Sequence, residues 1–346
     1  MELEEIIKKR IITEGPISFE DFMEMALYYP NLGYYTNKHI KIGREGDFFT
    51  SSHLGEAFGI LLSRAIENFY RDFKGKDNFT VTEIGPGMGY LAYDILCNLK
   101  IPIEYNLVET NPFLIDIQKQ RLTQHIEKIR WYPSIDDLPY LRGVIICNEI
   151  FDALPVRIFE MRENLLEVYV TIKDENLCEI LLPSRIETQC YIEEFAPWVL
   201  SFRNYRSEVC LSGRSFLKKL SDRLKEGFLF IFDYGYTSEE YYAPYRNRGT
   251  LLCYHRHRTN ENPFLNIGKQ DITAHVNFTA IERWAEEFGF NREKFSSQGS
   301  YLISLCNERV LRMFEEKNLI QKFKRLVLPQ GMGETHRVMI LSKIIQ

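Results

Sequence analysis

Residues 83–89 read Glu83-Ile-Gly85-Pro86-Gly87-Met-Gly89, and this stretch decides the fold. It follows the β-branched run 79–84 and precedes a helix-patterned segment at 89–99, so three alternate glycines sit at a strand-to-helix turn. Glycine there allows a tight turn and lets ligand atoms approach the backbone. The helix that follows offers unpaired N–H groups at its start. Twenty residues beyond Gly89, a second apolar run at 103–109 ends in Glu109, a carboxylate able to accept hydrogen bonds from both hydroxyls of a ribose. Together these features specify an adenosine-type ligand. A nicotinamide site needs its third glycine where Tyr90 stands; the observed spacing, with Glu83 in front, suits a ligand without a pyrophosphate. The bland alternative is a structural glycine turn with an incidental acid.

Working outward, Asn111-Pro112 opens another helix, and strands are expected at 129–131 and 143–147, the latter nearly all apolar as in a parallel strand buried on both faces. A helix at 213–225, a strand at 228–232, a helix at 278–288 and a strand at 338–342 continue the alternation. The expected fold class is α/β, a doubly wound Rossmann-like sheet. Helices at 2–12 and 18–29 precede it, the second capped by Ser18. Three β-rich pieces between 156 and 182 read as an inserted hairpin or small antiparallel sheet, and 237–276 as loop-rich. The chain is accordingly divided into 1–76, 77–155, 156–211 and 212–346.

Composition limits the function classes. The 346 residues carry 43 Lys+Arg against 48 Asp+Glu, net −5, which gives no basic field for nucleic acid. Seven scattered cysteines without a Cys-x-x-Cys pair read as reduced thiols, and no metal site is expected. No apolar run approaches a membrane span. The mixed-charge start at Met1–Arg10 lacks signal- or transit-peptide character, so a cytoplasmic protein is expected, with a processed mitochondrial-matrix form as the alternative.

Chemistry is expected where the fourth strand ends, in Asn148-Glu149-Ile-Phe-Asp152-Ala-Leu-Pro155. Glu149 and Asp152, three apart, can share one face of a turn and hold a cation such as a guanidinium. Alternatively, Asn148 and Asp152 cap a helix. Downstream, Asp271-Ile-Thr-Ala-His275 and Arg256-His257-Arg258 add candidate polar groups. Each histidine is read either as a base or substrate contact or as a satisfied structural residue, and His255 and His257 can share a strand face without a third metal ligand. The candidate catalytic residues are therefore Asn148, Glu149, Asp152, His257 and Asp271.

Several segments resemble the MidA-like family of S-adenosylmethionine-dependent methyltransferases. They are Gly43–Thr50, Glu83–Gly89, Asn148–Pro155, Asp233-Tyr-Gly235, Gly249–Leu251, Asp271–Phe278 and Gly331–Glu334. The resemblance covers nearly the whole chain. It implies S-adenosylmethionine as cofactor and a protein substrate, with arginine as the leading acceptor. Mitochondrial members methylate an arginine of a partner subunit as respiratory complex I assembly factors, so the partner implied is a respiratory-complex subunit. A reading as a cofactor-binding assembly factor without catalysis stands beside it. The resemblance also implies that the loop holding Gly46, Asp47 and Thr50 closes over the cofactor. With these, the cofactor set comprises Glu83, Gly85, Pro86, Gly87, Gly89, Glu109 and Asn148. The chain departs from the family at Ser52-His53, Met88 and His336-Arg337.

Overall fold

The computed structural model describes residues 2–38, 55–73 and 78–344. Its main sheet is built from β1 (Thr80–Ile84), β2 (Glu104–Val108), β3 (Ile129–Tyr132), β4 (Leu141–Asn148), β5 (Leu224–Tyr236), β6 (Asn291–Ser297) and β7 (His336–Lys343). Across the sheet these run β6-β7-β5-β4-β1-β2-β3, with the short strand Val276–Asn277 paired to the end of β5. Neighbours from β3 through β5 are parallel, whereas β7 is antiparallel to both β5 and β6. Val144 to Cys147 of β4 are buried on both faces, which is why that strand reads as an unbroken apolar run. The order turns back between β1 and β4, and a crevice opens beyond the carboxyl ends of strands at such a reversal. Ile84 lies in register with Cys147, so the glycine turn after β1 and the turn after β4 emerge side by side.

Helices cover both faces. Glu56–Asp72, Tyr90–Asn98 and three short C-terminal helices between Gln298 and Val327 pack Phe58, Ile95 and Leu326 against Val144, Phe230 and Phe232. On the other face, Ser212–Arg223 and Phe278–Glu287 bring Leu217, Leu220 and Trp284 against Ile145 and Leu229.

The inserted segment forms more than a hairpin. Arg157–Met161, Leu165–Lys173, Asn176–Pro183 and Tyr205–Val209 make an antiparallel sheet whose fifth strand, Ile17–Ser18, comes from the amino-terminal segment. Ser18 also caps the helix Phe19–Tyr28, accepting the Asp21 N–H at 3.0 Å. That helix and Leu3–Glu14 bury Ile7 and Phe22 with Val168, Val170 and Ile272 in a third core.

Residues 237–276 are not merely loop. Leu252–His255, Arg258–Asn260 and Asp271–Thr273 form a small antiparallel sheet. His255 and His257 do not share a strand face: Arg256 and His257, at φ 50° and 60°, form the two-residue turn of its hairpin. The helix Glu56–Asp72, β6 and the helices after it were not anticipated from sequence. Among the described residues no helix is long and apolar enough to cross a membrane.

Candidate active site

A cavity of about 590 Å³ opens at the carboxyl ends of β1, β2 and β4. Its first wall is the glycine turn. Gly85, Gly87 and Gly89 all adopt the left-handed region, at φ 61°, 53° and 75°. At Gly85 a side chain is disfavoured by that φ, and a Cβ would lie 2.6 Å from Ile150 Cδ1, which would have to move aside. Gly89 is the N-cap residue of Tyr90–Asn98.

Glu109 lies where β2 ends. Its Oε1 accepts the Asn111 N–H at 2.9 Å and its Oε2 accepts Gln118 Nε2 at 3.2 Å. Burial pushes its pKa up to about 7 against the pull of these donors. Gln118, fully buried, also donates to Gly87 O at 2.7 Å and accepts Trp131 Nε1 at 2.9 Å. One amide thus ties the glycine turn, Glu109 and β3 together; nothing in the local sequence pattern marks it. Asn111 caps the helix Pro112–Arg121 and donates to Tyr35 O and Asn37 O, which fastens the amino-terminal segment beside this wall. Glu83 is buried at the cavity floor, accepts the Tyr105 hydroxyl at 2.9 Å and is raised to about 7, mainly by burial.

The second wall is the turn after β4. Because Asn148 is in register with Phe232, Asp233 stands beside that turn. Its Oδ2 accepts the N–H groups of Ile150, Phe151 and Asp152 at 3.2, 2.9 and 3.3 Å, and its Oδ1 accepts that of Tyr234. No helix follows β4 here, so the capping alternative for Asn148 and Asp152 is set aside: a distant carboxylate, not a local cap, holds these amides. Burial and the nearby Asp152 and Glu149 raise the Asp233 pKa, while the backbone donors oppose the rise. Glu149 is held left-handed at φ 53°, its N–H bonded to Phe232 O at 2.8 Å. Such a conformation in a non-glycine residue costs about 1–3 kcal/mol and is found where surrounding contacts enforce it.

Asp152 is 5% exposed. Its Oδ2 accepts the Tyr234 hydroxyl, while its Oδ1 is buried without a partner, as is Asn148 Oδ1. Burial raises Asp152 to about 6, opposed by the Tyr234 hydrogen bond and by backbone donors. Behind Glu149 lies His336, with Nε2 3.9 Å from Glu149 Oε1. Burial lowers both His336 and His275 to about 4, so neither is a cation at neutral pH. Tyr28 and Tyr35 from the amino-terminal segment stack at 5.5 Å and complete this end.

Asn148, Glu149 and Asp152 therefore line the same cavity as Glu83, Gly85, Pro86, Gly87 and Glu109, with Gly89 capping the adjacent helix. Asp271 stands one residue further out, accepting the Tyr35 hydroxyl at 2.8 Å. His257 is not brought in; it is exposed on the hairpin turn. Gly46, Asp47 and Thr50 lie outside the described residues. Sequence reasoning missed Gln118, Tyr28 and Tyr35, and it quoted Asp233 and Tyr234 without giving them a role. Among the described residues, Lys219 is the one cation of the lining, and it is paired with Asp136 at 2.6 Å. No described group of three His, Cys, Asp or Glu residues is arranged to hold a metal.

The chemistry of this cavity fits S-adenosylmethionine. The glycine turn brings backbone to the cavity, Glu109 presents a carboxylate there, and a lining rich in carboxylates suits a sulfonium. Comparison with known proteins agrees. A family model described as "Putative S-adenosyl-L-methionine-dependent methyltransferase" matches residues 61–296. The zebrafish protein named "Protein arginine methyltransferase NDUFAF7, mitochondrial" is 28% identical, over 95% of this chain and 84% of its own length. The Caenorhabditis elegans homologue of that name is 27% identical over the same shares. A Burkholderia thailandensis crystal structure bound to S-adenosyl-homocysteine is 28% identical, with a TM-score of 0.88 over 99% of this chain and 92% of that one. The matched model spans well over half of the chain, and the chain belongs to this family of S-adenosyl-L-methionine-dependent methyltransferases.

Proposed function

We propose that the chain transfers a methyl group from S-adenosylmethionine to an arginine side chain of a partner protein. The observation that carries this reading is the pair Glu149 and Asp152 on one cavity wall, with a buried Asp152 oxygen left unpartnered and both neighbouring histidines uncharged. A guanidinium offers several donors in a plane and keeps its charge, which suits two carboxylates better than a neutral hydroxyl does. The names of the relatives support arginine as acceptor and favour the mitochondrial alternative over the cytoplasmic one. A respiratory-complex subunit is the partner class the family resemblance implies.

In this reading the N–H groups of Gly85 and Gly89 hold the turn itself, bonded to Val108 O and Pro86 O at 3.0 and 2.9 Å, Gly87 and the start of the helix Tyr90–Asn98 meet the cofactor's methionine end, and Glu109 holds its ribose. Glu83, Pro86 and Asn148 shape the floor between the two walls. Gly46, Asp47 and Thr50 are assigned to cofactor binding by the family resemblance alone. Bound, the cofactor supplies an electrophilic methyl on a sulfonium. The protein contributes alignment of acceptor and methyl, exclusion of water and a negative wall facing two cations. Asp271 acts through Tyr35 as a support, and His257 has no part in the chemistry.

The test is to incubate the protein with tritium-labelled methyl donor and lysate of a strain lacking it, then hydrolyse the labelled protein. Radioactivity in methylarginine is the expected result. Label in another amino acid, or binding of the donor without any transfer, contradicts the arginine assignment.

A further inference from the structure

We propose that Asp152 is the proton acceptor of the transfer and that Tyr234 is its positioning residue, while Glu149 serves to hold the cation. The proposal rests on the reading above and divides the work of its two carboxylates.

The two oxygens of Asp152 have different surroundings. Oδ2 is taken by the Tyr234 hydroxyl, whereas Oδ1 is buried, unpartnered and on a residue that lines the cavity. The backbone beneath it is fixed from two sides. Asp233 holds the N–H groups of residues 150–152, and Asp152 O accepts the Ala274 N–H at 3.0 Å. Tyr234 is itself held, its ring met edge-on by His275 and His336 at centroid distances of 5.2 and 5.5 Å. Glu149 lies on the same cavity wall, with His336 Nε2 behind it at 3.9 Å.

The titratable groups around Asp152 are Glu149 from the end of β4, Asp233 and Tyr234 from β5, Tyr28 and Tyr35 from the amino-terminal segment, Tyr254 and Asp271 from the small sheet, and His275 and His336 against the Tyr234 ring. The phenols stay protonated, each pushed up by burial, and burial lowers both histidines to about 4, so none of these groups brings positive charge at neutral pH. Burial places the group at about 6, and a base is most effective near the working pH.

The step balances. The acceptor nitrogen forms its bond to the methyl carbon as the carbon–sulfur bond breaks, sulfur keeps the electron pair, and the nitrogen's proton passes to the Asp152 carboxylate. A guanidinium attacking in its charged form becomes strongly acidic as the second positive charge develops, so a carboxylate suffices as acceptor.

Tyr234→Phe removes the hydroxyl that favours the ionised carboxylate, so the Asp152 pKa rises. The experiment measures methylarginine formation from pH 5 to 9, the S-adenosylhomocysteine affinity by calorimetry, and the Asp152 carboxyl 13C titration in ligand-free protein. Wild type should show an acid limb near the Asp152 pKa. Tyr234→Phe should move that limb and the 13C midpoint upward together by about half a unit to one unit, with the rate recovering at high pH. Asp152→Asn should lower the rate about 100-fold or more at every pH with ligand affinity retained. An unmoved limb in Tyr234→Phe, or Asp152→Asn within about threefold of wild type, overturns the assignment. If wild type forms no methylarginine at all, it is the arginine reading that fails; methylarginine with an unmoved limb sinks the Asp152 assignment alone.

Discussion

The two walls of the cavity are made differently. The cofactor wall comes from one stretch of chain: Glu83 to Gly89, Glu109, Asn111 and Gln118 belong to β1, β2 and the helices that follow them. The acceptor wall is gathered from across the molecule. Asp152 follows β4, its supports Asp233 and Tyr234 end β5 more than eighty residues on, and Tyr28 and Tyr35 come from the amino terminus. A local unit preserves its geometry through turn chemistry and one helix contact, whereas a composite wall depends on sheet register. Substitutions in the first should therefore act on ligand affinity, and substitutions in the second on transfer.

The largest effect is expected at Asp233→Ala. It leaves the buried amides of Phe151 and Asp152 and the part-buried amides of Ile150 and Tyr234 without their acceptor, and each buried unsatisfied group costs about 1–3 kcal/mol. Denaturant melts should show a loss of about 3 kcal/mol or more, with methyl transfer abolished. Retained transfer would remove the sheet-register argument. Next is Gly85→Val, which puts a β-branched residue at φ 61° and its Cβ against Ile150. S-adenosylhomocysteine affinity by calorimetry should fall about 100-fold, equivalent to about 2.7 kcal/mol. Glu109→Gln replaces one acceptor oxygen by a donor and should weaken the same affinity about tenfold, the scale of one lost hydrogen bond.

The smallest effect concerns Glu83. Burial lifts its folded-state pKa to about 7, above the value of about 4.3 expected for the unfolded chain. The native state then binds the proton more tightly, so stability falls as pH rises between these two values. Glu83→Gln does not titrate, and its amide oxygen can still accept the Tyr105 hydroxyl. Its melting temperature should exceed that of wild type by about 2–5 °C at pH 8, with the gain shrinking as pH falls and vanishing only below about pH 4. A gain of the same size at pH 4 would have another cause.

The same contrast governs what the sequence discloses. Strands β1 to β5 announce themselves as apolar runs, and the glycines and Glu109 lie at fixed spacing from them. β6 does not, because Asn291-Arg-Glu-Lys lies exposed at the sheet edge and carries no apolar alternation. The strands of the small sheet are three or four residues long, too short for alternation to register. Asn148, Glu149 and Asp152 are legible as polar groups ending a buried strand. That Asp233 rather than a helix cap holds their turn is not, because it depends on pairing Asn148 with Phe232 across the sheet. Gln118 likewise has meaning only once its helix lies over the glycine turn. His257 shows the reverse case, a reactive residue type whose place in a hairpin turn, exposed and away from the lining of the cavity, its sequence neighbours do not disclose.

The most direct test of the division between the walls is a calorimetric titration of S-adenosylhomocysteine into wild type and Asp152→Asn. The account predicts dissociation constants that agree within about threefold, since Glu109 and the glycine turn carry the binding while Asp152 acts only on the acceptor. A loss of affinity in Asp152→Asn as large as that expected for Gly85→Val would contradict it.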